Sequence, residues 1–249
     1  MIGANSPDAL NTYFDDAREA GTRVVIFNQD IPGNEEHRDI AILPTDFDLV
    51  GEYQVECLGS LINYEGDIAI LSATTDAPDQ NYWIEGMKKV LKEDPKYAKM
   101  NLLEVVYGDD VPEKSTTEME ALITKYPTLK GVIAPTTVAV KAASKVVQIK
   151  GLADKIAVIG LGLPSEMRVF IKDGTVKKFQ LWNPVDEGYL AGYYGVLLVQ
   201  GKVGTDIGET FKAGRLGEIT ITENPRGYAH IITGPPFTFD ASNIDDFVF

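Results

Sequence analysis

From residue 68 to residue 181 short apolar runs alternate with stretches whose apolar residues recur at helical spacing, and this beat limits the fold more than any other feature. The runs fall at 68–72, 102–107, 131–134, 156–160 and 177–181. The helical stretches fall between them at 80–92, 113–125, 138–150 and 164–173. Strands alternating with helices of this length build βαβ units on a parallel sheet. Right-handed crossovers then cover both of its faces with helices. Ahead of this series, 23–27 and 39–43 are two further continuous apolar runs of the kind a doubly covered strand needs. A helix is expected over 47–62, with Leu49, Val50, Tyr53, Leu58 and Leu61 as its apolar positions. Another is expected from Asn5-Ser6-Pro7-Asp8, with Leu10, Phe14 and Ala17 inward and Gly21 as its stop. Beyond the beat, 188–200 reads as a helix and 216–222 alternates with the period of a half-exposed strand. Gly234-Pro235-Pro236 breaks the chain, and the apolar residues of 243–249 predict a docked end.

Chemistry is narrowed by what the residues exclude. A net charge of −14 repels phosphates and argues against a nucleic-acid partner. No apolar run is long enough for a membrane-spanning helix, so direct insertion into a bilayer is not expected. Cys57 is the one cysteine and reads as a buried, inert thiol. His37 and His230 lie far apart, without a metal-binding spacing, so no zinc site is expected. Gly160-Leu161-Gly162 lacks the third glycine of a dinucleotide fingerprint, and neither a P-loop nor a nucleophile elbow occurs. The acidic pairs Asp109-Asp110 and Asp245-Asp246 read as solvated surface. No cofactor, metal or catalytic group is expected.

In an open α/β sheet ligands bind beyond the carboxyl ends of the strands, and polar residues gather there in this chain. Asn28-Gln29-Asp30 follows the run 23–27, and Asp79-Gln80 follows 68–72. Pro135-Thr136-Thr137 follows 131–134, Gly160 and Gly162 follow 156–159, and Trp182-Asn183 ends the series. Carboxylates, amides and hydroxyls suit sugar hydroxyls, and an indole offers an apolar face to a sugar ring. Each position also has a plain structural reading. Asp79, Thr136 and Thr137 could cap the next helix, Asn28 and Asp30 could be turn residues, and Trp182 could be core. Gly160 is the more natural turn glycine, which leaves Gly162 as the candidate contact.

Several motifs in this order resemble one family. They are Asp79-Gln80-Asn81-Tyr82-Trp83 before a helix, Val132-Ile133-Ala134-Pro135-Thr136-Thr137, Met167-Arg168 with Gly174-Thr175-Val176-Lys177, and Phe179-Gln180-Leu181-Trp182-Asn183. Together with the opening 4–10 and the closing 243–247, they resemble the rhamnose-binding and autoinducer-2-binding branch of type I periplasmic sugar-binding proteins, the receptors of ABC importers. The resemblance implies an α/β fold of two doubly wound lobes, joined by hinge crossings, with a sugar clamped in the cleft. With the reading above it assigns 1–46 and 183–222 to an N-terminal lobe, and 47–182 and 223–249 to a C-terminal lobe. It implies that Asp79, Gln80, Pro135 and Thr137 line the ligand from the second lobe. Trp182 stands where related receptors place a hinge-side contact. Asn28 stands where the autoinducer-2 receptors resemble one another in carrying an aspartate, which favours a pentose, hexose or deoxyhexose. The family also has a segment with a further ligand contact ahead of the position of Met1. Since Ile2-Gly3-Ala4 reads as the end of a strand, the first lobe is expected to be incomplete, with Leu10, Phe14 and Ala17 poorly covered.

The expected ligand-binding set is therefore Asn28, Asp30, Asp79, Gln80, Pro135, Thr137, Gly162, Trp182 and Asn183. The expected function is a periplasmic solute-binding receptor that delivers rhamnose or a similar monosaccharide to ABC permease subunits, without catalysis. The alternatives are a sugar-sensing effector domain of a transcription regulator, an autoinducer-2 receptor, and a small-molecule enzyme on the same kind of sheet.

Overall fold

The computed structural model describes residues 1–3 and 8–249. Residues 5–7 of the expected helix start lie outside them.

In chain order the elements are α1 (Asn11–Glu19), β1 (Val25–Phe27), β2 (Ile40–Leu43), α2 (Phe47–Ile62), β3 (Glu65–Ser72), α3 (Pro78–Glu93) and β4 (Lys99–Tyr107). They continue with α4 (Pro112–Lys125), β5 (Leu129–Ala134), α5 (Thr137–Ile149), β6 (Ala157–Gly160), α6 (Pro164–Lys172), β7 (Lys178–Leu181) and α7 (Pro184–Val199). The chain closes with β8 (Thr210–Lys212), β9 (Glu218–Thr220), β10 (Thr222–Glu223), β11 (Ala229–Ile232) and β12 (Phe237–Asp240). The expected beat is present. α7 starts four residues before the expected 188, because Asn183 caps it: its Oδ1 accepts from the backbone N–H of Val185 and Asp186. The alternating run 216–222 is not one strand. It changes partner at the buried Ile221, with β9 pairing β8 on one side and β10 pairing β11 on the other.

The chain divides into two compact units, Met1–Asp46 with Trp182–Pro235, and Phe47–Leu181 with Pro236–Phe249. It passes between them after Asp46, Leu181 and Pro235. The expected assignment of 223–235 to the second lobe is corrected, because His230, Ile231 and Ile232 pair in parallel with Ala41, Ile42 and Leu43 of β2. Trp182 also falls in the first unit.

The first unit is built on the order β1-β2-β11-β10, with β10 antiparallel. Alternation along its strands feeds two cores. Val25, Ile40, Ile42 and Ile231 point to the side covered by Leu190, Ala191, Tyr194 and Leu198 of α7. Ile26, Ala41 and Leu43 point to the side covered by Phe14 of α1, where Leu10 and Ala17 pack. The expectation of a poorly covered α1 face is thus not met. Ile2 bridges Ile26 in parallel on the other side of β1.

The second unit holds a parallel sheet ordered β4-β3-β5-β6. A bridge from Leu161 to Gln180 extends it to β7, and β12 pairs antiparallel with β7. Right-handed crossovers put α3 on one face and α4 and α5 on the other, because β3→β4 and β5→β6 advance in opposite directions. α2 packs on α3 so closely that a Cβ on Gly51 would lie 2.6 Å from the Met87 nitrogen. Cys57 on α2 is buried, and burial pushes its thiol up to about 12. The C-terminal residues dock as expected. Phe247 meets Phe239 edge-on at 4.9 Å, and Arg168 donates to the Phe247 carbonyl.

Candidate functional site

The order β4-β3-β5-β6 contains one reversal. The chain leaves β3 toward β4 and leaves β5 in the opposite direction, toward β6. This is a topological switch point, and the crevice beyond the ends of the two strands is where doubly wound sheets bind ligands. β3 and β5 are neighbours, with Ile70 opposite Ile133. Asp79 and Gln80 follow one, and Pro135 and Thr137 follow the other. The fold thus gathers four of the expected residues at the ends of two adjacent strands of one unit.

The side chains at this point differ in how far they are committed. Ala77 stands at the N-cap position of α3 without a side-chain capping bond, and Asp79 lies beyond it in the first turn. Burial raises the pKa of the half-buried Asp79 carboxyl, and no hydrogen bond from a described residue offsets it. Gln80 is half-buried, and its side chain makes no hydrogen bond to any described residue. At β5 the roles divide between neighbours. Thr136 caps α5, its Oγ1 accepting from Ala139 N–H at 3.1 Å and donating to Asp110 Oδ1 at 2.7 Å. Thr137, half-buried, keeps its hydroxyl uncommitted among the described residues, and Pro135 is buried. Asp110 was expected to be plain surface. It is exposed, but it also holds the cap, and Asp109 and Asp110 both take left-handed φ values of 52° and 56°.

In the first unit Asn28 stands at the end of β1 with φ 73°, a conformation that asparagine tolerates better than most residues. Its N–H donates to Ile42 O at 3.1 Å. Beside it lies a residue absent from the expected set, Glu187, in the first turn of α7. It is 3% exposed, its Oε1 has no hydrogen-bond partner among the described residues, and burial pushes its carboxyl up to about 7 against the opposing pull of the Asn28 N–H. The sequence did carry a signal for this helix start: Asn183, then Pro184, then two acids in the first turn.

Three of the expected ligand residues carry structural contacts. Both oxygens of Asp30 accept from Arg38, at 2.6 Å each, in a buried pair, and Oδ1 also accepts from Ile31 N–H. Asn183 spends its oxygen on the α7 cap and its Nδ2 on Asp186 at 3.0 Å. Gly162 is buried, donates its N–H to Gln180 O at 3.0 Å, and leaves room for Val140 and Met167, which a Cβ would meet at 2.9 and 2.8 Å. Trp182 is half-buried.

Known proteins share this architecture. The family profile described as periplasmic binding protein domain matches residues 1–203. A sugar ABC transporter protein from Actinomyces odontolyticus is 39% identical, with a TM-score of 0.92 over 100% of this chain and 78% of its own. An ABC transporter solute-binding protein from Clostridium phytofermentas, solved with bound L-rhamnose, is 36% identical, with a TM-score of 0.81 over 99% of this chain and 78% of its own. A protein from Clostridium saccharobutylicum in complex with AI-2 shares the fold at 16% identity, with a TM-score of 0.78 over 99% of this chain and 81% of its own. On the extent of the family match and the identity to the first two of these proteins, the chain belongs to the periplasmic binding protein family, among the solute-binding proteins of sugar ABC transporters.

Proposed function

We propose that this protein binds a small sugar, L-rhamnose or a similar monosaccharide, and hands it unchanged to an ABC permease outside the cytoplasm. The observation that carries this reading is the switch point between β3 and β5, where Asp79, Gln80 and Thr137 keep polar groups uncommitted at one place. A carboxylate accepts from two hydroxyls, and an amide and a hydroxyl both donate and accept, which suits the vicinal hydroxyls of a sugar. Pro135 offers an apolar surface to ring carbons. The first unit, taken by itself, carries Asn28 at the end of β1 and Trp182 as a polar and an aromatic candidate. The L-rhamnose bound to a 36% identical relative supports a deoxyhexose over other solutes. Binding favours one conformation, and the permease reads it. Asp30, Gly162 and Asn183 act in support and do not touch the ligand.

Calorimetry against rhamnose, ribose, xylose, galactose and autoinducer-2 tests the reading. One sugar is expected to bind and to be recovered chemically intact. Chemical conversion of that sugar, or no binding across the panel, would overturn it.

A further inference from the structure

At the end opposite the switch point, the sheet of the second unit carries a row of charged residues. Glu65 opens β3 and Lys99 opens β4, in register and paired at 3.7 Å. The next three strands across the sheet each bring a lysine to this end. Lys130 is the second residue of β5, Lys155 stands two residues before β6, and Lys177 one before β7. All three line one cavity of about 580 Å³. Neighbouring strands lie about 4.8 Å apart, so the row spans roughly 10 Å. Local geometry aims two of its members. Gly66, at φ 121°, leaves a gap across which Lys130 lies: a Cβ there would be 2.5 Å from Lys130 Cγ. Lys177 folds back over the turn at Gly174, where a Cβ would be 3.5 Å from its Nζ.

Packing and pairing within the fold do not account for this row. Like charges on neighbouring strands repel, and 37 acidic residues against 23 basic ones leave carboxylates to spare. Yet Lys130, Lys155 and Lys177 form no ion pair and no hydrogen bond among the described residues. Lysines at this end of a sheet ordinarily meet the carbonyls that end the helices. α2 does end at Ile62 in the same lining, but none of the three donates to a carbonyl among the described residues. The lining has two acids. Glu65 is drawn to Lys99, which leaves Asp154 as the carboxylate facing three exposed ammonium groups.

We propose that this cavity binds a small anion bearing two or more linked phosphate groups, held by Lys130, Lys155 and Lys177. Lysine meets phosphate as a point charge, whereas a carboxylate ligand favours the fork of an arginine, and this lining has none. A lone phosphate cannot reach ammonium groups spread across three strands, and a linked pair bridges them. An anionic membrane surface fits less well, because it repels a chain of net charge −14. A small anion inside the cavity instead feels the three lysines at close range, within the screening length. Its binding offsets the repulsion along the row and steadies the second unit. The site lies at the amino ends of the strands, and Asp79 and Thr137 follow the carboxyl ends, so the proposal does not rest on the sugar reading.

Calorimetry of the full chain with pyrophosphate at low ionic strength, together with thermal unfolding, tests this. A single equivalent is expected to bind, to raise the melting midpoint with its concentration, and to bind at least about tenfold more tightly than inorganic phosphate. The triple variant Lys130→Gln, Lys155→Gln, Lys177→Gln should lose at least about tenfold in affinity, and without anion should melt no lower than the wild type, since the repulsion is gone. The control Lys89→Gln, Lys92→Gln, Lys145→Gln makes the same change of net charge at exposed lysines elsewhere in the unit, and should keep its affinity within about twofold. If the triple variant folds poorly, Lys155→Gln alone should still show a loss of at least about threefold that the control does not. No binding of pyrophosphate, equal affinity for inorganic phosphate, or an equal loss in the control overturns the proposal.

Discussion

Arg38 holds both carboxylate oxygens of Asp30 at 2.6 Å, with the two side chains only 1% and 9% exposed. The same guanidinium donates to Ala229 O at 2.8 Å, tying the β1–β2 connection to the returning β11. This bidentate pair is a structural clamp. Arg38→Ala would strand a buried carboxylate and is expected to cost about 3–5 kcal/mol of stability. Arg38→Lys should recover little of this, because an ammonium cannot make the forked contact. Denaturant unfolding of both variants checks it. A loss below about 1 kcal/mol for Arg38→Ala would show that the pair contributes little.

Gly51 marks the closest approach of two helices. A methyl group there would meet the Met87 nitrogen at 2.6 Å and the Trp83 carbonyl oxygen at 2.8 Å, both backbone atoms that cannot swing aside. Gly51→Ala is therefore expected to destabilise the second unit by about 1–3 kcal/mol, although alanine favours helix. Thermal unfolding checks the sign. A stabilised variant would mean that α2 and α3 separate freely.

Glu187 makes stability depend on pH. Its folded pKa is about 7 against an ordinary 4.5, so between these values the folded state holds a proton that the unfolded chain has released. The contribution of the neutral carboxyl is full below about pH 4.5 and is lost as pH rises through about 7, a difference of about 3 kcal/mol. Glu187→Gln should match the wild type at pH 5 and exceed it at pH 8. Urea titrations at pH 5, 6, 7 and 8 measure the gap. A constant gap would remove Glu187 as the source.

The beat of strands and helices was legible in the sequence because doubly covered parallel strands must be continuous apolar runs, and those of 23–27 and 68–72 are. The switch-point residues were legible as polar side chains at strand ends. Whether such a residue is free to meet a ligand was not, since that depends on neighbours distant in sequence. Asp30 pairs with a residue eight positions on, whereas Asp79 has no partner among the described residues. The return of 229–232 to the first sheet was hidden because its partner, β2, lies far back in the chain. Asn183 could have been recognised, since an asparagine before proline and two acids is the pattern of a helix start.

The central claim is that Asp79 serves a ligand and not the fold, and one variant tests it through two quantities. Calorimetry with L-rhamnose and denaturant unfolding without it should both be run on Asp79→Ala. Asp79 lies past the N-cap position of α3, and its half-buried carboxyl makes no hydrogen bond among the described residues, so apo stability should be unchanged or slightly higher. Affinity should fall by about 1.5–3 kcal/mol, the scale of hydrogen bonds to a charged group. Unchanged affinity together with a stability loss of about 1 kcal/mol, the size of a lost cap, would contradict the account.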